Sequence, residues 1–268
     1  MNATVLFRWL AGVAAMTLSA QALAAPVEKV VDYTIDGQPH RGYAYYDDAV
    51  KSARPLVVLV PNWLGTSTAN RKQAAEIAGK DYVVFVADMF GRDKQPADQA
   101  AAAKAVTALY GNRALMRSRI IASKQEAMIY AKSARLPADL SKIAAIGFCF
   151  GGATVLELAR TGDDVAAVVS FHGNLSLDAA AENEPIRTRI LALHGDADPY
   201  VPAKQVDAFL AEMRAAKPDW QLVSFGGAVH SFTDPDANVP GQAMYDAEIA
   251  RRAFKMMRDY LAEAFSGK

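Results

Sequence analysis

Ala144-Ala145-Ile146-Gly147-Phe148-Cys149-Phe150-Gly151-Gly152 is the stretch whose reading decides the fold. The apolar run over residues 143–146 has the length and composition of a buried strand, and it breaks at the glycine-flanked cysteine into a helical pattern over residues 153–160. A strand that enters a helix through one tight turn presents a single side chain at its tip, as in a nucleophile elbow with glycines two residues before and two after. Here that side chain is Cys149. Gly147 and Gly151 remove the Cβ atoms that would collide where strand and helix crowd together. The helix start also places the positive end of a macrodipole near the sulfur, which favours negative charge there.

Working outward, the 268 residues are 52% apolar, enough to bury one large core, and a single domain over residues 25–268 is expected. Lys plus Arg and Asp plus Glu both number 29, and no basic run stands out to follow a phosphate backbone, so nucleic acid is not an expected partner. At the N-terminus, Arg8 precedes an apolar stretch over residues 9–20, and Ala22-Leu23-Ala24 supplies the small residues of a signal-peptidase site. Residues 1–24 therefore read as a secretory signal, with the mature chain starting near Ala25 and secreted, into the periplasm. The apolar run is short for a membrane span and is broken by Thr17, Ser19 and Gln21, and no cysteine stands at the cleavage point to take a lipid. No membrane anchor is expected after removal. Exported chains normally carry cysteines in pairs, whereas this one has a single cysteine and can form no internal disulfide. A lone thiol kept at an elbow tip is best understood if the sulfur does chemistry.

Elsewhere the chain alternates. Residues 30–35 and 42–46 read as two strands around Asp36-Gly37-Gln38-Pro39; strands follow at 55–60 and 82–87, with a helix at 69–78 between them. Helices at 97–110 and 113–134 precede the elbow. After it come strands at 165–171, 189–194 and 221–225, a helix at 203–215 and a long helix from about 242 to 265. Strands alternating with helices imply an α/β fold with a mostly parallel central sheet covered by helices on both faces. In such sheets function collects in loops at the carboxyl ends of strands, which singles out the loops after Val60, Gly147, His194 and Gly226.

An elbow cysteine needs a base and a group to orient that base. The loop His194-Gly195-Asp196-Ala197-Asp198-Pro199-Tyr200-Val201-Pro202 offers the acid, and Gly226-Gly227-Ala228-Val229-His230-Ser231-Phe232 offers the histidine. Nucleophile, acid, histidine is the chain order of α/β-hydrolases. These three stretches, taken together in order and spacing, resemble the dienelactone hydrolase family over most of the mature chain. The resemblance implies an α/β-hydrolase fold with Cys149 as nucleophile, His230 as general base and Asp198 as its partner; Asp196 is left to turn formation. It also implies an oxyanion hole built from the backbone N–H of Phe150, the residue after the nucleophile, and of Trp63. Asn62, Phe148, Tyr200 and Phe232 are candidates for the pocket wall.

His172 and His194 stand at strand ends beside glycines and read as hydrogen-bonded structural residues, and His40 reads as exposed. No metal-ligand spacing and no phosphate loop is present, so neither metal nor cofactor is expected. Two positions depart from the members that open dienelactone rings: Asn62 stands where they carry a glutamate, and Asp234 where they carry an arginine for a substrate carboxylate. An anionic lactone would be repelled at Asp234. The function implied is hydrolysis of a small carboxylic ester, lactone or thioester through a cysteinyl acyl-enzyme. A silent hydrolase fold that only binds a ligand, and an oxidant-sensing thiol, are the readings from other classes.

Overall fold

The computed structural model describes residues 26–177 and 183–267. The expected signal segment lies outside the described residues. Among these, no helix is long and apolar enough to cross a membrane.

Among the described residues ten strands and six α-helices follow one another: β1 (Val27–Ile35), β2 (Gln38–Tyr46), β3 (Arg54–Val60), α1 (Thr68–Ala78), β4 (Val83–Val86), α2 (Gln99–Tyr110), α3 (Arg113–Ser133), β5 (Ala138–Phe148), α4 (Phe150–Arg160), β6 (Ala167–Phe171), β7 (Arg189–Gly195), α5 (Ala203–Ala216), β8 (Trp220–Phe225), β9 (Asn238–Val239), β10 (Ala243–Met244) and α6 (Ala247–Phe265). Eight strands form one sheet in the order β1-β2-β4-β3-β5-β6-β7-β8. β2 pairs antiparallel with both β1 and β4, while every pairing from β4 to β8 is parallel.

Side chains alternate across the pleat. In β3, Leu56, Val58 and Val60 pack with the faces of α2, α3, α4 and α5, whereas Val57 and Leu59 pack with α1 and α6 on the other side. Two apolar cores result, one per face of the sheet, as the continuous apolar runs implied.

Three expectations needed correction. Residues 242–246 are not helical: β9 and β10 form a two-stranded ribbon, and α6 starts at Ala247 because the Asp246 carboxylate accepts from the N–H groups of Glu248 (3.1 Å) and Ile249 (2.9 Å). His40 is buried rather than exposed, since β2 runs inside the sheet between β1 and β4. There its Nδ1 lies 3.0 Å from the Asp88 carbonyl and its ring stacks on Tyr33. His194, expected to be hydrogen-bonded, is buried with its Nδ1 left without a hydrogen-bond partner.

The elbow helix α4 is buried along its whole length, and it carries a charge network into the core. Glu157 accepts from Arg117 Nε (2.7 Å), Arg160 Nη1 (2.8 Å) and Arg113 Nη1 (3.3 Å), and Arg160 reaches on to Glu212. Removing one partner from a buried network leaves uncompensated charge. Glu157→Ala is therefore expected to destabilise the fold by about 3–5 kcal/mol, read as a lower urea midpoint at unchanged m-value.

Candidate active site

The elbow follows from sterics. A Cβ on Gly147 would lie 2.0 Å from the Gly151 carbonyl oxygen, and one on Gly151 would lie 2.0 Å from that of Val60. With those two positions bare, β5, α4 and the end of β3 close on one another, and Cys149 takes φ 53° and ψ −115°. Such left-handed backbone costs a non-glycine residue roughly 1–3 kcal/mol and persists only where its surroundings over-determine it. Here the Cys149 N–H is shared between the Phe171 carbonyl (3.0 Å) and His172 Nδ1 (3.2 Å).

His230 is brought to the sulfur from the loop after β8. Its Nδ1–H donates to Asp198 Oδ2 at 2.7 Å, and Asp198, from the loop after β7, is itself buried. The other ring nitrogen, Nε2, takes no part in that bond, and His230 and Cys149 line the same cavity. Burial opposes charge on this imidazole, yet the Cys149 sulfur and the Asp198 carboxylate outweigh it and push His230 up to about 10 from its ordinary 6.5. Asp198 Oδ1 also accepts from Tyr200 N–H at 2.8 Å, which fixes the carboxylate; Asp196 is exposed and away from the imidazole.

The ribbon that sequence reasoning missed holds the histidine from behind. His230 N–H donates to the Gln242 carbonyl and Met244 N–H to that of His230, each at 3.0 Å, while the Tyr200 ring meets His230 edge-on at 5.2 Å.

Two residues with unpaired backbone donors line the same space. Among the described residues neither the Phe150 nor the Trp63 N–H has an acceptor, and both residues line a cavity of about 730 Å³ with Cys149 and His230. The Trp63 loop is shaped by Asn62, whose Oδ1 accepts from Leu64 N–H (3.0 Å) and Asn70 Nδ2 (2.8 Å).

Of the candidates for the pocket wall, Asn62 and Tyr200 line this cavity. Phe148 and Phe232 do not. Phe148 stacks on Phe171 at 4.7 Å and lines a second cavity of about 420 Å³ behind Asn62, because the pleat turns it to the α1–α6 face. Phe232 is fully buried beneath the histidine loop, edge-on to His172 and Phe225. Val106 and Tyr110, one helical turn apart on α2, supply wall that the sequence reading missed; their i, i+4 spacing was the available signal.

The model of the dienelactone hydrolase family matches residues 41–265, most of the chain. The chain belongs to the dienelactone hydrolase family. It is 38% identical in sequence to a dienelactone hydrolase-like promiscuous phosphotriesterase from metagenomic libraries, whose structure superposes with a TM-score of 0.82 over 90% of this chain and 100% of that one. An uncharacterized protein of Caenorhabditis elegans is 42% identical over 135 residues, 48% of this chain and 84% of the relative. A carboxymethylenebutenolidase homolog of Rattus norvegicus is 23% identical over 222 residues, 81% of this chain and 87% of the relative. As a member of the dienelactone hydrolase family the protein is a hydrolase with the α/β-hydrolase fold.

Among the described residues the wall of this cavity holds no lysine or arginine, and its carboxylates are Asp234 and Asp236. Burial raises the pKa of Asp234, and no cation forms a salt bridge with it among the described residues. Among the described residues there is also no cluster of three or more His, Cys, Asp or Glu side chains that could hold a metal.

Proposed function

We propose that this dienelactone hydrolase-like protein cleaves small uncharged carboxylic esters, lactones or thioesters through a Cys149 acyl-enzyme. The observation that supports the reading is the Asp198–His230 hydrogen bond, with that imidazole and Cys149 on the wall of one cavity beside two residues whose backbone N–H groups are unpaired among the described residues. The sulfur attacks the carbonyl carbon, forming a C–S bond as the carbonyl electrons move to oxygen. The Phe150 and Trp63 N–H groups receive that oxyanion. On collapse the C–O bond breaks and His230 Nε2–H protonates the leaving oxygen. His230 then takes a proton from water, hydroxide adds to the thioester, and the sulfur leaves. Asp198 holds the imidazole in the tautomer that both half-reactions need.

The substrate preference follows from the wall. A carboxylate-bearing substrate meets Asp234 and Asp236 with no cation to receive it, whereas a neutral one meets Val106, Tyr110 and Trp63. The volume suits a small molecule. A panel of chromogenic esters and lactones run with intact-mass detection tests both points. The expected result is a mass gain of one acyl group during turnover, with kcat/KM for a neutral ester roughly tenfold or more above that for its carboxylate-bearing twin, ~1.4 kcal/mol of repulsion. Asp234→Asn should narrow that gap. Turnover without any acyl adduct on Cys149 under rapid quench would remove the covalent route.

A further inference from the structure

We propose that His172 is a positioning residue for the proposed hydrolysis: one neutral imidazole ring that spans the nucleophile turn and the histidine loop and thereby sets how the Cys149 sulfur faces His230. The inference rests on the Cys149–His230 reading and adds a residue to it.

The ring's tautomer is fixed by its partners. Cys149 N–H only donates, so His172 Nδ1, 3.2 Å away, is the acceptor and bears no hydrogen. The proton therefore sits on Nε2, which donates to Thr233 Oγ1 at 2.8 Å. Cys149 is the strained tip of the elbow; Thr233 lies three residues after His230 on the loop that carries the base. A single rigid ring thus ties the two halves of the reacting pair together. The bond to Thr233 is buried and the one to Cys149 part-buried, with His172 2% and Thr233 2% exposed.

The ring also has to stay uncharged. It meets the His230 ring edge-on with centroids 5.2 Å apart, and Phe232 packs against another side at 5.0 Å. Burial, and then the charge of His230, hold the His172 pKa well below the usual histidine range. Protonation would turn the Nδ1 acceptor into a donor aimed at the Cys149 N–H and set two cations side by side. The two histidines therefore divide the work: one carries charge toward the sulfur, the other remains neutral and holds the backbone.

The residue also pays a local conformational cost, since His172 itself sits at φ 39° and is held there by its N–H bond to the Leu193 carbonyl at 2.8 Å. A purely space-filling aromatic in this position would need neither polar contact.

Three variants test this. His172→Phe keeps the ring volume and loses both hydrogen bonds. His172→Asn can still offer an acceptor to the Cys149 N–H and tolerates left-handed backbone. Thr233→Val cuts the far bond alone. With a chromogenic neutral ester, kcat is expected to fall about 10- to 100-fold in His172→Phe at near-constant KM, the scale of a misplacement of about 1 Å. Most of the loss should return in His172→Asn, and Thr233→Val should lie between. Alkylation of Cys149 by iodoacetamide across pH gives a readout independent of ester turnover, and His172→Phe should alter that profile. A wild-type kcat and alkylation profile in His172→Phe, a loss confined to KM, or a loss that His172→Asn leaves untouched would each overturn the proposal. If His172→Phe does not fold, a wild-type kcat in Thr233→Val overturns it by itself. Loss of the underlying hydrolytic reading looks different: Cys149→Ala then turns over the ester like the parent protein.

Discussion

Cys149→Ala is expected to lower kcat/KM for a neutral ester by at least about 10⁴-fold and to abolish the acyl adduct, while leaving the fold intact. The size follows from what remains. The two N–H donors, the cavity and the His230–Asp198 pair all survive the substitution, so substrate still binds and its carbonyl is still polarised. What is missing is the atom that bonds to carbon. Water activated by His230 can replace it only from a position the cavity does not organise. The fold survives because the side chain at the elbow tip is half-buried and alanine keeps its Cβ. Cys149→Ser is the companion variant: it keeps an oxygen at the tip, removes the sulfur whose charge supports the imidazolium, and should give a slower enzyme that acylates as an oxygen ester. The readings from other classes separate on the same samples. A ligand-binding fold leaves parent and variants equally inactive, and an oxidant sensor gains one oxygen on Cys149 with peroxide and no acyl group with ester.

The elbow was legible because sterics allow little else. Residues 147 and 151 must lack a Cβ when carbonyl oxygens stand 2.0 Å from where it would be, so the glycine spacing is a statement about three-dimensional crowding written in one dimension. The acid and histidine loops were legible for a related reason: each follows a strand of the parallel part of the sheet, and the carboxyl ends of those strands converge on one edge. That edge brings Asp198, His230 and Cys149 together. The ribbon of β9 and β10 was not legible, since two-residue strands have no periodicity, and its register is set by pairing of Ala243 with His230 rather than by any local signal. Aromatic residues near the site were legible as apolar but not as to side. Strand alternation sends Phe148 to the far face, whereas Phe232 and Tyr200 stand in loop turns that bury the one and leave the other on the cavity wall. His172 was read as structural from its place at a strand end; only the coordinates reveal that both of its nitrogens are spent on the two loops that meet at the sulfur.

Asp198→Asn should cost about 10²- to 10⁴-fold in kcat and move the alkaline limb of the rate profile toward neutrality, two effects with one origin. In the parent protein the His230 imidazolium persists to about 10: burial works against it, but the Cys149 sulfur and the Asp198 carboxylate more than compensate. Because the folded-state value lies above the ordinary 6.5, the charged ring contributes stability in full below about 6.5 and loses it as pH rises through about 10. Turnover should follow the same upper limit, because the leaving oxygen takes its proton from Nε2. Asparagine removes the negative charge and, if its amide nitrogen faces the ring, forces Nδ1 to accept, which drives the remaining proton of the neutral ring onto the nitrogen that faces sulfur. A base with its proton on the wrong side cannot receive another. The alkaline limb in Asp198→Asn should therefore fall below about 10, and the urea midpoint should lose part of its decline between neutral pH and that value. An alkaline limb that stays where the parent's lies, with kcat reduced, would mean that Asp198 orients the ring without helping to hold its charge, and that the sulfur alone sustains the imidazolium.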